Sequence, residues 1–452
     1  MDRDSGYPRR PPSCSGGCRH RGWASGHPHV TATKDGPAGD STHTVDSETI
    51  DESPPLEPLT LRDGLSAVID TPDALQAYAR AVEQGSGPVA LDAERASGYR
   101  YSMRAYLIQV RRAGAGTALI DPIAVPDQTP LNDAIGEAEW ILHAATQDLP
   151  CLEEVGLRPR ALFDTEIAGR ILGRERVSLA ALVASELGFE LEKGHGATDW
   201  SKRPLSTGQL TYAALDVEML VELRNALHAE LLATDRWDIA SEEFEHLRGF
   251  QPKDRGPEPW RRLSGMHKLR SPRQWALARG LWQERDAIAQ RTDTAPGRLI
   301  PDSAIVAAVL ADPADAPSLL TAKGFHGRAA RRYRDRWWAA LERARSLPED
   351  QWPSRPARID GPPPARSWSD KDPAAAERLA AARECMDHLV ESWGVAPEIL
   401  LTPDLLRRLC WDPPAPVTDD SIRAYLAAGE ARAWQIEMCT PGLVKALTGV
   451  EN

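Results

Sequence analysis

Between residues 59 and 248, short apolar runs alternate with stretches whose apolar residues recur every three to four positions, the pattern of strands and helices interleaved in one mixed α/β domain. Strands are predicted at Pro88–Asp92, Ala105–Val110, Thr117–Ile120, Trp140–His143 and Ala161–Phe163. The second and third are joined as a hairpin by the turn-rich Ala113-Gly-Ala-Gly116. Helices follow the last two strands, and one long helix is expected from about Ser206 to Leu232, opened by Ser206 as its cap.

Past residue 248 the periodicity becomes helical throughout. Residues 258–347 form one helical block with Trp260, Trp275, Trp282, Trp337 and Trp338 as core candidates; 348–373, rich in proline, read as a linker; and 374–452 form a second helical block. The two blocks echo one another: Asp286 precedes Ala295-Pro296 by the interval at which Asp387 precedes Ala396-Pro397. Leu299-Ile300-Pro301-Asp302 is then answered by Leu400-Leu401-Thr402-Pro403-Asp404 with one residue inserted, which predicts two copies of a small all-α domain. Residues 1–58, dominated by Pro, Gly, Ser, Thr and Asp, carry no apolar face and read as a disordered tail.

Composition narrows the class. A chain of 452 residues, 42% hydrophobic and 27% charged, is a soluble protein of two or three domains. Without an apolar run of eighteen residues, or an apolar block behind a basic start, neither a membrane span nor a secretory signal is supported, and a cytoplasmic home is expected. Six scattered cysteines read as reduced thiols. Cys14 and Cys18, near His20, His27 and His29, have the residue types of a zinc site, but their surroundings favour the disordered tail. A net charge of −12 argues against a polyanionic partner until its distribution is read: Trp260 to Arg345 carries 17 Lys/Arg against 8 Asp/Glu, whereas Glu377 to Leu447 carries 7 against 11.

Certain acids stand where chemistry would place them. Asp92 and Glu94 follow Val89-Ala-Leu91, and their i, i+2 spacing turns both to one face at a strand end. Many strands end in such a pair merely to face water. Asp148 follows the strand ending at His143, where a helix N-cap is the competing role. Tyr212 and Asp216, spaced i, i+4, share one face of a helix. Converging carboxylates of this kind suit hard divalent ions, and a phenol beside them can hold an attacking water.

Taken in order, Leu91-Asp92-Ala93-Glu94, His143 to Asp148 with Leu149-Pro150-Cys151-Leu152, Phe163-Asp164-Thr165, Asp199 to Leu205, and Tyr212-Ala-Ala-Leu-Asp216-Val217 resemble the ribonuclease D branch of the exonucleases, which carries a D-E-D-D carboxylate set and a tyrosine. The resemblance implies a ribonuclease H-like α/β fold in which Asp92, Glu94 and Asp216 bind one metal, Asp92 with Asp148 serves a second, and Tyr212 orients the nucleophilic water. The ions would be Mg²⁺ or Mn²⁺, with no small-molecule cofactor and no membrane partner. The repeated block resembles the helicase-and-RNase-D C-terminal (HRDC) domain, so that the likeness spans about residues 61 to 448. The expected activity is 3′→5′ trimming of RNA ends, tRNA precursors among them. A DNA exonuclease is the alternative enzyme, since the same carboxylates process both polymers, and a non-catalytic RNA-binding scaffold is the alternative of another class. None of these motifs encodes an oligomeric state.

Several neighbours stay open between two roles. Asp164 serves the rim of the site or caps the helix after it; His195 touches substrate or merely occupies a loop. His143 is a candidate substrate contact. Trp200 and Arg203 stack a base and hold a phosphate, or plug the core and pair with an acid. The run Lys323 to Arg336, with Arg331, Arg332 and Arg334, is a solvated helix face or an RNA-backbone contact.

Overall fold

The computed structural model describes residues 56–191, 194, 198–354 and 361–449; the Cys14/Cys18 cluster with His20, His27 and His29, and the loop residue His195, lie outside them. The strands are β1 (Glu57–Pro58), β2 (Val68–Ile69), β3 (Ser86–Arg95), β4 (Ala105–Ala113), β5 (Gly116–Ile120), β6 (Glu139–Leu142), β7 (Ala161–Asp164) and β8 (Phe189–Glu190). Six of them form one sheet in the order β2-β5-β4-β3-β6-β7, while β1 and β8 make a short parallel ladder of their own. β3, β4 and β5 run as an antiparallel meander, and β2, β6 and β7 join in parallel, which makes the sheet mixed.

Alternation along β3 divides the domain. Val89, Leu91 and Ala93 pack with residues of α1 (Pro72–Glu83), α2 (Thr129–Ile135) and α3 (Leu149–Glu154) on one face. Ala90 packs on the other, with residues of α4 (Thr165–Ile171), α5 (Leu179–Leu187), α6 (Thr207–Glu218), α7 (Leu220–Ala233) and α8 (Trp237–Arg248). Asp92 and Glu94 continue the Ala90 side of the strand, beyond the point where apolar packing ends.

The single helix expected over Ser206–Leu232 is two. Ser206 does open it, through a capping box with Gln209. At Met219, however, the backbone leaves helical geometry (φ −113°, ψ 5°). The carbonyl of Glu218, which a continuing helix would give to an amide four residues on, instead accepts from Arg62 Nη2. The Glu218 carboxylate also accepts from Arg62 Nε at 2.7 Å and pairs with Arg111 at 3.3 Å, so the break is held from outside the helix.

The first helical module comprises α9 (Pro272–Thr292), α10 (Pro296–Leu299), α11 (Asp302–Ala311), α12 (Ala316–Leu319), α13 (Arg328–Arg332) and α14 (Arg334–Arg345), packed around Leu281, Ile305, Phe325 and Trp337. The second comprises α15 (Trp368–Lys371), α16 (Pro373–Trp393), α17 (Pro397–Leu400), α18 (Pro403–Trp411), α19 (Asp419–Ala428) and α20 (Ala433–Thr448). The repeat is visible in the backbone. In each module a 21-residue helix starts on a proline and ends at a left-handed residue, Asp293 (φ 41°) or Gly394 (φ 60°), before a four-residue helix that again starts on a proline. Part of the stretch read as linker belongs to the second module: Trp368 is fully buried, its ring 4.9 Å from that of Trp411. One apolar side chain supplied that anchor within a proline-rich run.

Both modules are fastened to the α/β domain. The β3–β4 connection docks on the end of α9, where Asp293 accepts from the Ser102 amide at 2.8 Å and from the Tyr106 hydroxyl at 3.2 Å. Arg298 closes the same contact, its guanidinium 3.8 Å above the Tyr99 ring. On the second module, Arg432 meets buried Glu243 through two hydrogen bonds of 2.7 and 2.6 Å. Gly173 lies so close to the Gly394 carbonyl that a Cβ there would sit 2.0 Å from its oxygen.

Candidate active site

Three separate segments bring acids to one end of the sheet. The end of β3 carries Asp92 and Glu94, and α6 carries Tyr212 and Asp216 one turn apart. Oxygens of Asp92, Glu94 and Asp216 lie within 4.8 Å of one another. Asp148 enters from the start of α3 and lines the same cleft, a cavity of about 260 Å³ that Tyr212 and His143 also border. Glu94 and Asp148 are buried and the other two carboxylates half-buried.

The competing role for Asp148 was a helix cap, yet its side chain makes no capping hydrogen bond although it stands at the N-cap of α3. The capping acid is Asp164 instead. Its carboxylate accepts from the amides of Glu166 (2.8 Å) and Ile167 (3.1 Å) at the start of α4, and from Ala144 (3.3 Å) and Ala145 (2.7 Å) in the turn that leads to Asp148. Ala144 is left-handed there (φ 57°), and the buried carboxylate holds that turn by two amides while two more fix it to the start of α4. Asp164 thus positions the Asp148 segment, which resolves its two readings into one: it caps, and by capping it shapes the rim.

The electrostatics follow from crowding. Burial, then the charges of Asp92, Asp216 and Asp148, push Glu94 up to about 10. Burial and the charge of Asp92 raise Asp216 to about 8 and lift Asp148 well above the carboxylate range; burial alone raises Asp92. Tyr212 is raised as well, by burial and then by Asp216, with which it is hydrogen-bonded. Such a set asks for protons or cations. The donor set, all carboxylate oxygen and close enough for three groups to reach one ion, fits a hard divalent cation.

The proposed substrate contacts fare differently. His143 does border the cleft, but burial lowers it to about 4 and its Nδ1 lies 2.8 Å from Thr165 Oγ1, so it stands at the cleft as a neutral ring. Trp200 is fully buried in a small core with Tyr106, Leu107 and Ala213, its ring 6.4 Å from that of Tyr212. It offers no face to a base and braces the tyrosine from behind. Arg203 is spent within the protein: Nε donates to Asp121 at 2.5 Å, Nη2 to the Tyr106 carbonyl at 2.6 Å and Nη1 to the Trp200 carbonyl at 2.8 Å. For both, the core-and-ion-pair alternative is the one the structure adopts. Arg331 and Arg332 are exposed on α13, and Arg334, exposed at the start of α14, pairs with its neighbour Asp335 at 2.9 Å. None of the three borders the cleft.

Sequence reasoning passed over Arg95. Its Nη2 lies 3.6 Å from Asp148 Oδ1, its Nη1 donates to the Gln147 carbonyl, and it borders the cleft. Its place directly after Glu94 was the available signal, but simple alternation turns position 95 away from the acids.

Comparison with known proteins agrees with this geometry. Residues 66–232 match a family described as a 3′-5′ exonuclease, 274–341 an HRDC domain, and 361–447 a 3′ to 5′ exonuclease C-terminal domain. The chain is 32% identical to ribonuclease D of Granulibacter bethesdensis over 67% of its own length and 76% of that protein's. It is 31% identical to ribonuclease D of Jannaschia sp. over 84% and 95%. Among solved structures, a protein from Bifidobacterium adolescentis superposes with a TM-score of 0.81 at 34% identity, covering 87% of this chain and 100% of that one. Escherichia coli RNase D shares the fold at a TM-score of 0.62 and 24% identity, over 85% and 98%.

The crowded carboxylates carry a thermal prediction. Their folded-state pKa values, about 8 for Asp216 and about 10 for Glu94, exceed those of the unfolded chain, so the folded protein holds more protons between about pH 4 and those values. In EDTA, stability should therefore be fully present below that window and fall as pH rises through it. Mg²⁺ should restore it, with a melting-temperature gain that grows from about pH 6 to about pH 9 by differential scanning fluorimetry. A gain independent of pH, or none, contradicts the crowded site.

Proposed function

Because this chain belongs to the ribonuclease D family, and is a metal-dependent 3′→5′ exoribonuclease, we propose that Asp92, Glu94, Asp148 and Asp216 hold two divalent cations, Mg²⁺ or Mn²⁺, and that Tyr212 orients the attacking water. The observation that carries this reading is the meeting of Asp92, Glu94 and Asp216, drawn from a strand and a helix more than a hundred residues apart, within 4.8 Å. Bound there, the cations would lower the pKa of the attacking water and offset charge on the leaving oxygen.

The chain's own residues divide the remaining work. Asp92 is the proposed shared ligand: it is one of the three acids that meet within 4.8 Å, and its charge is the largest of the neighbouring charges acting on Asp148. Tyr212 is hydrogen-bonded to Asp216 and backed by Trp200, so its hydroxyl is held beside the acids. Its raised pKa keeps it protonated at neutral pH, where it can both donate to and accept from a water.

RNA 3′ ends, including those of tRNA precursors, are the proposed substrates, and the cytoplasm the proposed compartment. No helix of the described residues is long and apolar enough to cross a membrane. The exposed Arg331, Arg332 and Arg334 on the basic module are the proposed contacts to the RNA backbone away from the cleft.

Asp92→Asn and Asp216→Asn should abolish release of nucleotides from a 3′-labelled RNA while leaving the fold intact, and Tyr212→Phe should slow it by about a hundredfold or more. Wild-type turnover by Asp92→Asn removes the assignment, and equal turnover of a matched DNA oligomer moves the substrate from RNA to either polymer. Replacing Arg331, Arg332 and Arg334 together by Gln should weaken RNA binding and flatten the plot of log K against log salt; an unchanged slope discards that surface.

A further inference from the structure

The cleft is walled by four carboxylates, yet what it must admit is a polyanion, and the two repel until something positive stands between them. Among the described residues that border it, Arg95 is the one lysine or arginine. Its two contacts are unequal. Nη1 is anchored on the Gln147 carbonyl, whereas Nη2 faces Asp148 across 3.6 Å, longer than a hydrogen bond. The guanidinium is therefore held at one edge and turned toward the acids at the other.

Its orientation has a local cause. Strict alternation would send the side chain after Glu94 to the opposite face of the sheet. Between these two residues the pairing with β4 slips: Glu94 stands opposite Leu107, but Arg95 stands opposite Ala105. Such an irregularity twists a strand and re-aims the residue at it, and here it turns a cation into the site. The β3–β4 connection that begins there is the one docked on the end of α9 through Asp293 and on α10 through Arg298, which fixes the strand end in turn.

We propose that Arg95 is a substrate-binding residue whose Nη2 edge takes a non-bridging oxygen of the 3′-terminal phosphodiester of RNA, leaving Asp148 to a cation. The inference rests on the nuclease reading above and extends it by naming the group that recognises the phosphate. A guanidinium suits the task because its planar fork matches the oxygens of a phosphate, and one anchored at its other edge loses little freedom on binding. In the absence of substrate, the contact with Asp148 keeps the same charge in place and partly offsets the crowding.

A binding cycle tests this without turnover. Full-length wild type and Arg95→Gln are titrated by fluorescence anisotropy, in Ca²⁺, against a 3′-terminal RNA oligomer and against its analogue with a neutral methylphosphonate at the last linkage. If Arg95 touches that phosphate, each change alone weakens binding by about tenfold or more, and the two together cost little beyond one of them. Arg95→Lys should recover part of the affinity and all of the salt slope. Fully additive losses, or an Arg95→Gln protein that binds the natural oligomer as the wild type does, overturn the proposal. Retained Mg²⁺-induced thermal stabilisation in Arg95→Gln is expected; its loss together with additive binding would assign the residue to placing Asp148 alone. If wild-type protein does not release nucleotides from the 3′ end at all, the broader reading fails rather than this one.

Discussion

Mutual repulsion among four carboxylates in a poorly solvated cleft is the constraint around which the domain is arranged. Asp92, Glu94, Asp148 and Asp216 would separate if the backbone allowed it, because like charges at such range strongly disfavour one another away from bulk water. The backbone does not allow it. Asp92 and Glu94 are locked by β3, which pairs with β4 at both acids and with β6 at Val89 and Ala90; Asp216 is carried by a helix with a capping box at its start; and Asp148 follows a turn gripped by two amide hydrogen bonds to Asp164, whose carboxylate is itself fixed by two more at the start of α4. Cation affinity is the chemical expression of that stored repulsion.

The supporting elements lie behind the acids. Trp200 stands behind Tyr212, and Arg203 ties the segment after Trp200 to Asp121 and to β4, so the loop that resembles a substrate contact is a brace for the tyrosine. The helical modules add stiffness from outside: Asp293 and Arg298 hold the connection that leaves β3, and Arg432 with Glu243 secures α8. Three departures from regular structure lie near the chemistry. The slip after Glu94, the left-handed Ala144 and the break at Met219 all border or adjoin the cleft.

Much of this was legible in the chain. The sheet strands β3 to β7 announced themselves by apolar runs, and the acids by their order and surrounding residues, because strand periodicity and motif spacing are local properties. What escaped notice depends on partners distant in sequence. Two-residue β2 has too little length for a pattern. The division at Met219 needs Arg62, more than 150 residues earlier, to claim the Glu218 carbonyl. Trp200 and Arg203 could be weighed but not decided, since exposure is settled only when β4 and Asp121 arrive beside them. Arg95 was invisible for the opposite reason: alternation, the rule that located Asp92 and Glu94, fails one residue later.

Whether these acids share cations in pairs is answered most directly by anomalous diffraction from crystals soaked in Mn²⁺. Two peaks are predicted, one held by Asp92, Glu94 and Asp216 and the other between Asp92 and Asp148. A peak elsewhere, or a single ion that leaves Asp148 without a cation even with an RNA end bound, would contradict the account.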